Sequence, residues 1–236
     1  MRQPGQAPEG TEEVLLDVTD GDQIRAAAEG VEKLDGLVNN AGIAIAMPVE
    51  FVPLDELRHQ LEVNVVGQVA VTQAFLPALR RARGRIVFVG SIAGKSALPF
   101  LAPYAASKHA LEAIADSLRL ELRPWAIGVS IVEPGTIRTP IWARGAAKAN
   151  ELLASAGSEA GELYGDRVAA FRRVAMKRGE GGASPESVAK VVEEMLAARR
   201  PRTRSLVGRD ARIRAGLERL PARARDRVFE RLLLGR

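Results

Sequence analysis

The run Gly84-Arg85-Ile86-Val87-Phe88-Val89-Gly90-Ser91 constrains the fold more than any other part of the chain. It is apolar on consecutive residues, not on alternate ones, so a strand made from it must be covered on both faces. Gly36-Leu37-Val38-Asn39 and Gly128-Val129-Ser130-Ile131-Val132-Glu133-Pro134-Gly135 read the same way, with Ser205-Leu206-Val207 as a last short strand. Glu13-Val14-Leu15-Leu16-Asp17-Val18 is expected to be the first strand, followed by a helix over 23–33. One helical pattern opens at Pro53-Leu54-Asp55-Glu56 and continues to about Ala82, and another covers 103–123 with Pro103 in its first turn. A third starts at Ser184-Pro185-Glu186, with Ser184 as N-cap, and ends near Ala198. Strands that need two covers, each separated from the next by a helix, predict an α/β fold built on a doubly wound parallel sheet.

Composition sets the outer bounds. At 236 residues, 47% apolar and 27% charged, the chain can bury one sizeable core, and no repeat or linker divides it. We therefore expect one domain over 1–236, with 11–208 as its core. Residues 136–183 lack a clear strand and are rich in Ala, Gly and charge, which predicts a helical lid over a site. Zero cysteines exclude disulfides, thiolate metal ligands and a cysteine nucleophile, and with only His59 and His109 no metal centre is expected. No run approaches the roughly 18 apolar residues of a membrane span, and Met1-Arg2-Gln3-Pro4-Gly5 lacks a signal peptide's apolar stretch, so a cytoplasmic location is expected. Of the net charge of +5, the segment 199–236 carries 13 Arg against four acids, Asp210, Glu218, Asp226 and Glu230. Two short basic helices should close the chain there. No helix-turn-helix or base-stacking motif accompanies this charge, so nucleic acid is not an expected partner.

The sharpest chemical feature is Tyr104-Ala105-Ala106-Ser107-Lys108, which puts a phenol and an ammonium on one face of a helix. A phenol titrates near pH 10 and is a poor base at neutrality, but an adjacent ammonium favours the phenolate. Such a pair can move a proton on or off an alcohol oxygen. Ser91 stands at the carboxyl end of a predicted strand, where open α/β sheets bind their ligands. Taken singly, each of these has a plainer use: Tyr104 as a core edge, Lys108 as a surface residue, Ser91 as a turn. Asn39-Asn40-Ala41-Gly42 serves equally as a turn or as a ligand wall, and Pro134-Gly135 would end any strand.

Taken together, Asn39-Asn40-Ala41-Gly42, Asn64, Ser91, the Tyr104/Lys108 pair thirteen residues later, and Pro134-Gly135-Thr136-Ile137-Arg138-Thr139 resemble the short-chain dehydrogenase/reductase family. The resemblance covers about 11–208 and implies a Rossmann-like fold and NAD(P)-dependent hydride transfer to or from a secondary alcohol or ketone. It also implies roles. Tyr104 would be the general acid/base, Lys108 would bind the cofactor ribose and lower the Tyr104 pKa, Ser91 would orient the substrate oxygen, and Asn64 would hold a relay water. Asp17 and Val18 would lie at the adenine, Asn39, Ala41 and Gly42 along the cofactor groove, and Pro134, Gly135, Ile137 and Thr139 near the nicotinamide. A homodimer or homotetramer would form through the long helices beginning near Pro53 and Pro103. The extension 209–236, with Leu217, Leu220, Val228, Phe229, Leu232 and Leu233 alternating with Arg, resembles the retinol- and hydroxysteroid-dehydrogenase branch and implies a lipophilic substrate. Such a helix docks on its own domain or a sister subunit in one reading, and rests on a membrane surface in the other.

The family's opening strand, its Thr-Gly-x-x-x-Gly-x-Gly turn and the next strand have no counterpart ahead of Glu13. The expected sheet is therefore N-terminally truncated, with a poor seat for pyrophosphate and no partner strand for 14–17. Two readings follow: a start-site truncation of an ordinary reductase, the one expected, or a non-catalytic short form that binds a partner or membrane. In the first, Met1-Arg2 falls where NADP-preferring members carry an arginine, which inclines the choice between NAD and NADP toward NADP.

Overall fold

A computed structural model of the chain describes Gly5 and residues 8–234; Met1 and Arg2 lie outside the described residues. Four parallel strands, β1 (Gly36–Asn39), β2 (Arg85–Val89), β3 (Gly128–Pro134) and β4 (Arg204–Val207), lie side by side in chain order. The pleat sends Ile86 and Phe88 of β2 and Val129 and Ile131 of β3 to one face, and Val87 and Val132 to the other. The first face packs on Leu79 of α3 (Gly67–Ala82) and on Leu111 and Ala115 of α4 (Ala102–Glu121). The second packs on Met195 of α7 (Pro185–Ala197). Both faces of β2 and β3 are covered, which is why these two strands are mostly apolar on consecutive residues. Because the strand order keeps advancing while the helix changes face, the β3–α7–β4 crossover is opposite in hand to the two before it.

Four expectations need correction. Residues 13–18 form no strand, because no described strand lies beyond β1 to pair with them. Asp17 instead shapes a turn, its carboxylate accepting the Thr19 N–H at 2.9 Å and hydroxyl at 2.8 Å, and leads into α1 (Gly21–Ala28), capped by Asp20. That helix ends five residues earlier than its periodicity predicts, just ahead of Gly30 with φ at +79°. The long pattern opened by Pro53 is interrupted: α2 (Leu54–Leu61) passes into a π turn at Glu62–Val66 before α3 begins. Ser184 does precede α7, yet its hydroxyl makes no capping bond.

Residues 136–183 hold two helices, α5 (Ile141–Ser155) and α6 (Ser158–Glu180), and the two ends of the segment meet in a bridge between Ile137 and Ala183. After β4 come α8 (Arg209–Leu217) and α9 (Ala222–Leu234). Phe229 and Leu233 of α9 are buried with Leu101 and Phe171, so the helix docks on its own chain, leaving Leu220 and Leu232 exposed.

A charged network holds α4 to the sheet. Glu133, fully buried at the end of β3, accepts from Lys95 Nζ at 2.6 and 2.7 Å. Arg204 at the start of β4 reaches Glu112 at 2.9 Å and Asp116 at 2.6 Å. Burial, and then the nearby Glu133 charge, push the Glu112 carboxyl up, whereas its bond to Arg204 holds Asp116 down. A raised carboxyl stabilises the fold at acid pH and loses that contribution as pH rises through its native value; a depressed one contributes above the ordinary carboxylate range and loses it as pH falls. Glu112→Gln should therefore lessen the decline in stability as pH rises above the ordinary carboxylate range, read as the urea midpoint against pH. An unchanged profile would count against this assignment.

Candidate active site

β2 and β3 end side by side, and the turns after them form the walls of a site. A Cβ at Gly90 would stand 2.8 Å from Ile131 Cδ1 and 3.1 Å from the Val132 carbonyl, so glycine lets the chain leave β2 this close to its neighbour. Ser91 follows in extended backbone, and its Oγ accepts the Ala93 N–H at 3.1 Å, which leaves the hydroxyl proton for another acceptor. α4 starts with Pro103 in its first turn and carries Tyr104 and Lys108 on its buried face, 6% and 4% exposed. Lys108 Nζ donates to the Val89 carbonyl at 2.8 Å and lies 5.8 Å from the centre of the Tyr104 ring.

Burial pushes the Tyr104 phenol above its ordinary value, opposed by the neighbouring Ser91 hydroxyl and by the charge of Arg214. Burial brings Lys108 down to about 8. The expected lowering of Tyr104 by Lys108 is thus not the dominant effect: desolvation outweighs it, and the cation that opposes desolvation comes from α8. Below about pH 8 the pair is a phenol beside an ammonium, a form that gives a proton to an oxygen; taking one requires more alkaline conditions.

Asn64 sits in the π turn, fully buried, where such turns re-aim side chains. Its Oδ1 accepts the Ile43 N–H at 2.8 Å, and its Nδ2 donates to the Ile43 carbonyl at 3.0 Å and to Ser107 Oγ at 2.9 Å. A Cβ on Gly42 would lie 3.4 Å from Asn64 Oδ1 and 3.9 Å from Lys108 Nζ, so Gly42 faces both.

A cavity of about 460 Å³ opens at the carboxyl ends of β1, β2 and β3, and Asn64 is not among the residues that line it. Gly42, Ser91, Tyr104, Lys108, Pro134, Gly135, Ile137 and Thr139 line it. Asn39 and Ala41 stand behind its wall: Asn39 Nδ2 bonds Thr72 Oγ1 at 2.9 Å, and the Ala41 carbonyl accepts from Gln68 at 2.7 Å. Asp17 and Val18 are not among the lining residues; the Val18 carbonyl instead packs where a Cβ on Gly67 would meet it at 2.5 Å. The sequence reading missed Ile141, Trp142 and the α7 residues Val188 and Val192. Trp142 meets Tyr104 edge to face, centroids 5.9 Å apart, and it was findable as one of two tryptophans, three residues past Thr139. The α7 residues carry no such signal, since they look like an ordinary apolar helix face.

The family model described as short chain dehydrogenase matches residues 4–150. The chain belongs to the short-chain dehydrogenase/reductase family. An uncharacterized oxidoreductase of Bacillus subtilis strain 168 is 37% identical over 184 residues, 76% of this chain and 64% of that protein, so the chain spans under two thirds of that relative's length. Mouse retinol dehydrogenase 5 is 36% identical over 242 residues, 93% of this chain and 73% of the mouse protein. Among solved structures, a short chain dehydrogenase from Burkholderia cenocepacia in complex with NADP superposes with a TM-score of 0.71 at 25% identity, covering 99% of this chain and 84% of that one.

For a nicotinamide dinucleotide the fit is good at one end. The bare backbone of Gly42 and the buried ammonium of Lys108 form a cradle that a side chain at position 42 would fill. No Gly-rich phosphate turn occurs in the sequence, so the residues present suit the nicotinamide and its ribose.

Proposed function

We propose that this chain carries the reacting half of an NAD(P)-dependent oxidoreductase that moves a hydride between the nicotinamide and a secondary alcohol or ketone with apolar substituents. The observation behind it is the convergence of Ser91, Tyr104 and Lys108 on one cavity covered by Trp142. When bound, the nicotinamide ring supplies or accepts the hydride. Tyr104 gives a proton to the substrate oxygen in reduction and takes it back in oxidation. Ser91 donates its hydroxyl proton to the same oxygen, and Lys108 holds the ribose. Asn64 positions the water that connects Lys108 with solvent. Pro134, Gly135, Ile137 and Thr139 line the nicotinamide side with Gly42, Asn39 and Ala41 brace that wall, and Asp17 and Val18 lie toward the adenine. NADP is the favoured nucleotide, in keeping with the NADP complex of the structural relative.

An apolar substrate follows from the walls, Ile141 and Trp142, and from the likeness to a retinol dehydrogenase. The whole chain 1–236 acts as one domain with core 11–208, and 136–183 serves as its lid, since Ile141 and Trp142 at the start of α5 already stand over Tyr104. A cytoplasmic homodimer or homotetramer joined through the helices that begin near Pro53 and Pro103, α2 with α3 and α4, completes the proposal. The exposed Leu220 and Leu232 among the arginines of 209–236 are the residues available for peripheral membrane contact. The catalytic geometry favours this reading over a binding relic. The test is formation of reduced nicotinamide from NAD or NADP with secondary alcohols graded from small to lipophilic, and the reverse with ketones. Turnover that rises with apolar bulk is the expected result; no turnover with any alcohol or ketone and either nucleotide would overturn it.

A further inference from the structure

α8 follows the last strand directly, and two of its side chains, one helical turn apart, reach the two turns that frame the cavity. Asp210, in the first turn of the helix, accepts the Thr136 N–H through Oδ2 at 2.7 Å. The fit there is tight: a Cβ on Gly135 would stand 2.2 Å from Asp210 Oδ1, and one on Gly208 2.8 Å from it. Arg214 donates through Nη2 to the Ser96 carbonyl and approaches Ser96 Oγ through Nε at 3.4 Å. Ser96 is fully buried and closes the turn that begins at Ser91, its N–H donating to the Ile92 carbonyl at 2.9 Å. Between them, Ala211 is fully buried, which seats the helix.

We propose that α8 is a positioning element of the active site: Asp210 fixes the Gly135-Thr136 turn, and Arg214 fixes the turn behind Ser91 and adds a positive charge that acts on Tyr104. The electrostatic part rests on the reading of Tyr104 as the acid/base. Arg214's hydrogen bonds are to neutral oxygens of Ser96, and although burial brings its guanidinium down to about 10, it carries its charge at neutral pH. Its charge therefore favours the phenolate against the burial that opposes it. Tyr104 also faces Ser91 and, on its own helix, Lys108; around Arg214 stand Asp210 of α8, Glu218 just past its end, and Arg178 of α6.

The chain has two tyrosines, so in a Tyr164→Phe background the absorbance of phenolate reports Tyr104 alone, with no substrate or nucleotide needed. Stopped-flow jumps to a series of alkaline pH values, read before the chain unfolds, give the midpoint. Arg214→Gln should raise that midpoint by about one pH unit, and Arg214→Lys, which keeps the charge, should leave it within a few tenths of the parent value. No movement in Arg214→Gln, or an equal movement in Arg214→Lys, overturns the electrostatic role. For Asp210, Asp210→Ala should speed hydrogen exchange at the Thr136 amide about tenfold or more while Val129 and Ile131 keep their protection. Unchanged exchange at Thr136 overturns that half. Failure of the alcohol assay would count against the proposed function and would leave these titrations standing.

Discussion

Tyr104→Phe should lower turnover about a thousandfold in both directions without unfolding the chain, the size expected for loss of a general acid/base. Phenylalanine keeps the ring that packs edge to face on Trp142 and among Ala44, Ala93 and Ala105, so the helix has no reason to move. Only the hydroxyl goes, and Ser91, whose Oγ is already anchored by the Ala93 N–H, stays in place. The proton then has to come from water, in a site where Tyr104 is 6% exposed. The pH profile gives a second check. Because burial raises the phenol and brings Lys108 to about 8, ketone reduction should decline as pH climbs past 8, while alcohol oxidation should rise. Residual activity in Tyr104→Phe above a tenth of the parent would remove Tyr104 from the chemistry.

Phe88→Ala should cost about 3–5 kcal/mol of folding stability, the largest loss expected of a single truncation here. Phe88 is fully buried in the middle of β2, on the face shared by Leu79 of α3 and Leu111 of α4. The two helices are anchored by their own contacts with neighbouring strands and cannot collapse into the space left behind. Against a total of about 5–15 kcal/mol, this should bring the melting temperature down by about 10 °C or more. A urea-unfolding loss under 1 kcal/mol would show that the core relaxes around β2. Since β2 delivers Ser91 three residues further on, the variant should also lose activity at temperatures where it is still folded.

The elements that matter most for the site could be read from local pattern. Residues 84–91 and 128–135 had to be two-faced strands, and both are; Tyr104 and Lys108 had to share a helix face, and they do. Glu13–Val18 has the same local pattern as a buried strand and is not one, because a strand exists only where another strand accepts its hydrogen bonds. The π turn at Glu62–Val66 was invisible for a related reason: its residues are ordinary helix formers, and it is the pull of Asn64 on Ile43 and Ser107 that occupies the place.

By itself the sequence determined the α/β class, the strands at the core of the sheet, and the placing of a phenol and an ammonium on one helix face, since each of these follows from periodicity and side-chain chemistry over a few neighbouring positions. The tertiary structure alone decided how that chemistry is tuned. Thr136 meets Asp210 across 74 residues and Ser96 meets Arg214 across 118, and no local pattern encodes such pairs. Burial, too, is a property of the packed fold: it raises Tyr104 and lowers Lys108, and the desolvation responsible depends on how many atoms of distant elements exclude water from α4.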